Sequence, residues 1–254
     1  MSIRTFAPGR RLAALLLALV PLAVSCGGQD HAPDGRLGLA PPALSRGSHV
    51  VIATDNGVRL RPADGDRAAV APHVTSDWSR GEGTWTLDLS CTDREGHEDP
   101  ECPRMPVVTV PPGISVTVTA RNAGVDAAGI EAELDLTTVN GDVTVTRSGR
   151  DDAPVRLATR NGSVRAEALR SGTLHAVTVN GDVTMSSSTA PGSLTAATTN
   201  GSVRVALPHD APAYRTTATA RNGRTSVTVP GTTDKAGHAM ALSTVNGDVT
   251  ASRG

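Results

Sequence analysis

The chain has 254 residues, 38% of them hydrophobic but only 2% aromatic, and a formal charge of -1. That balance gives no electrostatic reason for a nucleic-acid partner. Four aromatic residues in all leave little from which to build a sugar-stacking groove. Arg4, Arg10 and Arg11 open the chain with positive charge, and Leu12 to Ala23 form an apolar run too short to span a bilayer. The small residues Ala23 and Ser25 then precede Cys26, which is the order of parts in an export signal.

Residues Ala23-Val24-Ser25-Cys26 resemble the lipobox of bacterial lipoproteins. The resemblance implies cleavage before Cys26, a diacylglyceryl group on its sulfur, and an acylated amino terminus carrying a chain such as palmitate. Two or more acyl chains anchor a protein stably where one does not. The expected address is therefore the cell membrane, lipid-anchored on its extracytoplasmic side. Removing residues 1–25 takes away three arginines and no acid, so the formal charge moves from -1 to -4.

Residues 26–47 are rich in Gly and Pro and have no apolar period, which predicts a flexible tether. From His49 onward, short alternating runs are broken by Gly, Pro, Asn and Asp, so the fold class is all-β. Residues 48–112 form a divergent β cap with the first rungs, and residues 113–254 form a repetitive part. Cys91 and Cys102 are the remaining cysteines. In an exported chain a pair this close suggests a disulfide, worth about 3 kcal/mol by loop closure.

The repeats align on Asn-Gly at Asn140-Gly141, Asn161-Gly162, Asn180-Gly181, Asn200-Gly201, Asn222-Gly223 and Asn246-Gly247. Internal repeats of roughly 20 residues point to stacked arrays. Six and four residues before each Asn, and three and five after it, 22 of 24 positions are apolar; Thr216 and Thr225 are the exceptions. One face of each strand is thus a core face. Two before each Asn stand Thr138, Thr159, Thr178, Thr198, Ala220 and Thr244, a column able to pass hydrogen bonds from rung to rung.

Asn-Gly tolerates the positive φ of a sharp corner, and it serves equally in a type I′ hairpin. An antiparallel meander and a parallel β-solenoid therefore both fit. The substitutions favour the solenoid. Two after each Asn come Asp142, Ser163, Asp182, Ser202, Arg224 and Asp248, and no Asp follows Asp. Stacked about 4.8 Å apart, like charges repel by roughly 1 kcal/mol in water or more. The expectation is a single-chain β-solenoid, parallel β-helix-like, of about six to eight rungs.

Strings such as "TVNGDVTV", "RNGSVR" and "TTNGSVRVALP", after "VTVPPGISVTV" and behind a lipoprotein signal, resemble the adhesin-like family known as domain of unknown function 4097. The resemblance covers about residues 75 to 254 and implies a β-solenoid in a bacterial envelope or secreted protein. Asn122-Ala123-Gly124 and Asn222-Gly223-Arg224 depart from the usual Asn-Gly-Asp turn, so those rungs are expected to be irregular.

No serine-hydrolase elbow, His-Glu-x-x-His pair, phosphate loop or Cys-x-x-Cys ligand set occurs. The leading expectation is a non-enzymatic envelope lipoprotein, an adhesin-like binding or scaffold solenoid without cofactor or resident metal. Its partners would be the membrane, through the lipid, and a protein, wall polymer or glycan met by a polar face into which Val139, Val179 and Val245 intrude. One alternative is a β-helical polysaccharide lyase or hydrolase using Asp142 and Asp182. Two rungs apart, roughly 9.6 Å, they sit near the upper end of inverting-glycosidase spacing. Another is an envelope metal or redox sensor. Its donors would be Asp93, Glu95, His97, Glu98, Asp99 and Glu101 in the Cys91 to Cys102 loop.

Overall fold

The computed structural model describes residues 42–81, 83–91, 101–235 and 237–254. The expected signal, Cys26 and most of the expected tether lie outside them. In chain order the strands are β1 (His49–Thr54), β2 (Val58–Pro62), β3 (Ala69–Val70), β4 (Thr75–Arg80), β5 (Thr84–Ser90), β6 (Val107–Val110) and β7 (Ser115–Ala120). There follow β8 (Val125–Ala128), β9 (Leu134–Asn140), β10 (Val143–Thr146), β11 (Gly149–Asn161), β12 (Val164–Val177) and β13 (Val183–Ser187). The last six are β14 (Ser193–Asn200), β15 (Val203–Leu207), β16 (Tyr214–Asn222), β17 (Thr225–Val227), β18 (His238–Asn246) and β19 (Val249–Arg253).

Pairing between repeats is parallel, so the chain is a β-solenoid and the meander is excluded. One face stacks β5, β1, β7, β9, β11, the second half of β12, β14, β18 and β16. The other stacks β6, β2, β8, β10, the first half of β12, β13, β15, β19 and β17. Nine rungs result among the described residues, two of them, β5/β6 and β1/β2, from the divergent region. Antiparallel strands close that end, β4 on β5 and β3 on β6.

The alternation of the sequence is the alternation of burial. Leu134, Leu136, Val143 and Val145 are 1% exposed or less, as are Val155, Leu157, Val164 and Ala166 on the next rung. Burying a Leu or Val side chain contributes about 1.5–3 kcal/mol, and here every inward residue also rests on its counterparts above and below.

Successive copies do not all stack in chain order. The rung carrying Asn246 lies between those of Asn200 and Asn222, because β14 and β15 pair with β18 and β19, and these in turn with β16 and β17. The physical reason is in the inward residues. The Asn222 repeat carries the two polar exceptions, Thr216 and Thr225, and at the free end these stay half-buried and exposed. The Asn246 repeat offers Met240, Leu242, Val249 and Ala251, all 2% exposed or less, and takes the interior place. The opposite end has the same exchange: β1/β2, the first pair in sequence, is sandwiched between β5/β6 and β7/β8.

Candidate functional site: a laddered corner

All six aligned Asn-Gly pairs fall at one corner, where the chain passes from the first face to the second. The asparagines form one continuous ladder. Each Nδ2 donates to the Oδ1 of its neighbour: Asn161 to Asn140 and Asn180 to Asn161 at 2.9 Å, then Asn200 to Asn180, Asn246 to Asn200 and Asn222 to Asn246 at 2.8 Å. Positive φ is not why Asn stands here. Among the described residues only His73, Arg147 and Ala168 combine a side chain with positive φ. The amide is selected because stacked identical amides satisfy one another. Replacing Asn180 by Ala removes two ladder bonds, and an expected loss of about 1–2 kcal/mol would be read from the urea midpoint.

Glycine is needed for a different reason. A Cβ on Gly181 would meet the Gly162 carbonyl oxygen far inside van der Waals contact and its carbon at 2.5 Å. The corners touch backbone to backbone. Five of the six aligned Gly N–H groups donate to the Asn carbonyl of the next rung, for instance Gly162 to Asn180 and Gly181 to Asn200 at 2.9 Å. The threonine column does link rungs, though not hydroxyl to hydroxyl. Thr159, Thr178, Thr198 and Thr244 donate to the carbonyls of Gly141, Gly162, Gly181 and Gly201 at 2.7–2.8 Å.

Outside this buried column, Asp142, Ser163, Asp182, Ser202, Asp248 and Arg224 form a single file. Ser163 N–H donates to Asp142 Oδ1 at 2.7 Å, Ser202 N–H to Asp182 Oδ1 at 2.8 Å, and Arg224 N–H to Asp248 Oδ1 at 2.8 Å. Between them the serine hydroxyls accept from the Asp182 and Asp248 amides at 3.3 and 3.2 Å. The other oxygen of each carboxylate holds an arginine of the neighbouring rung: Arg165 on Asp142, Arg204 on Asp182 at 3.3 Å, and Arg224 on Asp248 at 3.2 Å. The alternation of Asp with Ser is thus a pairing code, in which a rung that supplies the acid is followed by one that supplies amide and guanidinium.

This pairing does not favour the glycosidase reading of Asp142 and Asp182. Both carboxylates are occupied as hydrogen-bond acceptors and ion-paired. Partial burial pushes the Asp142 carboxyl up, but the Ser163 amide and Arg165 guanidinium outweigh it and hold it below the usual range. The Arg224 amide and guanidinium likewise lower Asp248. A general acid at neutral pH needs the opposite shift.

On the outer side of the asparagines the file reads, in stacking order, Val139, Arg160, Val179, Thr199, Val245 and Arg221. Among the described residues Val139 and Val179 are the large hydrophobics most open to solvent, 39% and 41% exposed. The end exchange preserves the rhythm, since chain order would place two polar residues, Thr199 and Arg221, side by side.

Cys91 and Cys102 are joined by a disulfide with Cα atoms 5.5 Å apart. Asp93, Glu95, His97, Glu98 and Asp99 lie outside the described residues, and Glu101 faces His73 at 3.3 Å. Among the described residues no three His, Cys, Asp or Glu side chains could hold a metal ion. Trp78 is buried on β4 across from Leu87 and helps close the first rung, while Arg80 lies 5.5 Å above the Trp85 ring.

Sequence reasoning missed a seventh corner, Asn56-Gly57. Thr54, two residues before Asn56, is buried in register with Ala120, and a Cβ on Gly57 would strike the Gly124 carbonyl. The signal was present in "VVIATDNGVRL", but Val58 follows Asn56 by two residues where the aligned repeats have three. The turn is one residue shorter and escapes a fixed-spacing alignment.

Two solved structures resemble the chain. One, of a "putative cell adhesion protein" from Clostridium sporogenes, is 8% identical and aligns over 85% of this chain and 96% of its own, with a TM-score of 0.38. Another, of a "putative adhesin" from Bacteroides fragilis, is 14% identical over 84% and 95% respectively, with a TM-score of 0.39. No curated protein matches. Residues 114–252, more than half of the sequence and all six aligned corners, match the family described as Toastrack DUF4097, and the chain belongs to that family.

Proposed function

We propose that the protein is a non-enzymatic envelope lipoprotein, held on the extracytoplasmic side of the cell membrane by acylated Cys26, whose laddered corner is a binding face. The observation that carries this reading is the two-rung rhythm of that corner. Exposed Val139 and Val179 recur on alternate rungs beside an unbroken amide ladder and a charge-paired Asp file. Such a face presents the same small apolar and polar contacts again and again, which suits an extended protein segment, wall polymer or glycan. Its side chains are fixed by one another before a partner arrives, which lowers the ordering cost of binding. Membership of the Toastrack family supports a scaffold or adhesin-like role.

The test compares wild type, Cys26→Ala and the double variant Val139→Glu/Val179→Glu in intact envelopes. Cys26→Ala is expected to leave the membrane fraction. The double variant is expected to stay there, folded, and to recover about tenfold less cross-linked partner, the effect of losing central contacts in an interface. Equal recovery by the double variant and wild type would remove this corner as the binding face.

A further inference from the structure

We propose that Asn222 is a site of spontaneous modification, deamidating through a succinimide to aspartate and isoaspartate while the other asparagines of the corner remain intact. In an Asn-Gly pair the glycine backbone nitrogen attacks the asparagine Cγ. The new C–N bond forms, the side-chain nitrogen leaves as ammonia with the proton lost from the glycine nitrogen, and water opens the ring at either carbonyl. The reaction needs no enzyme. It does need a glycine N–H that is free to lose its proton and to swing toward Cγ.

The stack denies this freedom at six of the seven Asn-Gly pairs. Gly57 donates to the Arg104 carbonyl at 3.0 Å, Gly141 to Asn161 at 3.0 Å, Gly162 to Asn180, Gly181 to Asn200 and Gly201 to Asn246 at 2.9 Å, and Gly247 to Asn222 at 3.1 Å. Gly223 belongs to the outermost rung, with no further corner to receive its N–H, and among the described residues it has no backbone acceptor. The Asn222 amide is also an end of the ladder, as Asn140 is at the opposite end. It donates to Asn246 Oδ1, whereas Asn161, Asn180, Asn200 and Asn246 each donate to one neighbour and accept from another. Asn222, Gly223 and Arg224 are all exposed. Terminal units of a structure open locally far more often than interior ones.

The product changes the end of the solenoid. A carboxylate at 222 can no longer donate to Asn246 Oδ1, and it places negative charge between Arg221 and Arg224. The isoaspartate form adds a methylene to the backbone after the Cα of residue 222, at the end of β16, and so lengthens the link to β17 and displaces β17 against β19.

The test incubates the native protein at mildly alkaline pH in heavy-oxygen water. Isoaspartate is read by methyltransferase labelling and peptide mass mapping, with a sample unfolded in urea beside it. Asn222 is expected to convert at least about tenfold faster than any other asparagine of the seven in the native sample, since the others must first break a backbone hydrogen bond and open an interior rung. In urea the seven rates should converge, and the product should carry heavy oxygen. Native conversion at Asn222 no faster than at Asn180, or product without heavy oxygen, would overturn the proposal.

Discussion

Gly181→Ala is expected to cost about 3–5 kcal/mol, and Gly65→Ala no more than about 0.5 kcal/mol. Both replace glycine in a bend, but they differ in what the new methyl meets. At Gly65 nothing lies within 4 Å. At Gly181 the φ of +150° already disfavours a side chain, and the obstruction is Gly162 backbone. The rung cannot simply lift away. The Gly181 carbonyl accepts the Thr198 hydroxyl, its N–H donates to Asn200, and Asn180 is bonded within the ladder on both sides. Relief of one contact therefore breaks several others. Urea unfolding of the two variants measures the difference, and equal midpoints would mean that the corners are not in backbone contact.

The other large effect is alkaline. Tyr214 is fully buried, its hydroxyl donates to the Pro191 carbonyl at 2.7 Å, and the His238 ring lies 5.2 Å away. Burial pushes the phenol up to about 12, against an ordinary value near 10. The neutral form is favoured by folding, so its contribution is complete below about pH 10 and disappears as pH rises through about 12. That two-unit difference corresponds to about 2–3 kcal/mol of stability lost across the window. Tyr214 is the sole tyrosine, so an ultraviolet titration follows its ionisation directly. In Tyr214→Phe the stability lost between pH 10 and 12 should shrink by that amount. An unchanged pH profile in the variant would mean that the phenol titrates freely.

Much of this architecture could be read from the amino acids. The alternation of Leu134 and Leu136 with polar residues fixed which face turns inward, and Asp142, Ser163 and Asp182 in sequence implied a stack through charge avoidance alone. The stacking order of the last two corners was hidden because a repeat aligned by similarity carries no information about spatial neighbours. The only traces were Thr216 and Thr225 at inward positions, Ala220 in the threonine column and Arg224 in place of Asp. These four departures mark a repeat suited to an end. The role of asparagine was hidden differently. A turn that needs a positive φ and a ladder that needs an amide select the same two letters, and only the backbone angles and the Nδ2 to Oδ1 contacts separate them. The candidate site was legible as residues but not as chemistry, because Arg165 and Arg204 lie about twenty positions from the carboxylates they neutralise.

The trading of places at each extremity makes β18 and β19 a keystone. While a polypeptide emerges from its amino end, the Asn200 rung must wait with a bare edge until residues 238–253 arrive, since its permanent neighbour comes after the Asn222 segment in the sequence. Only then can the Asn222 segment, already synthesised, settle on the outside. A product truncated before His238 would lack the course of masonry on which its own outer layer rests.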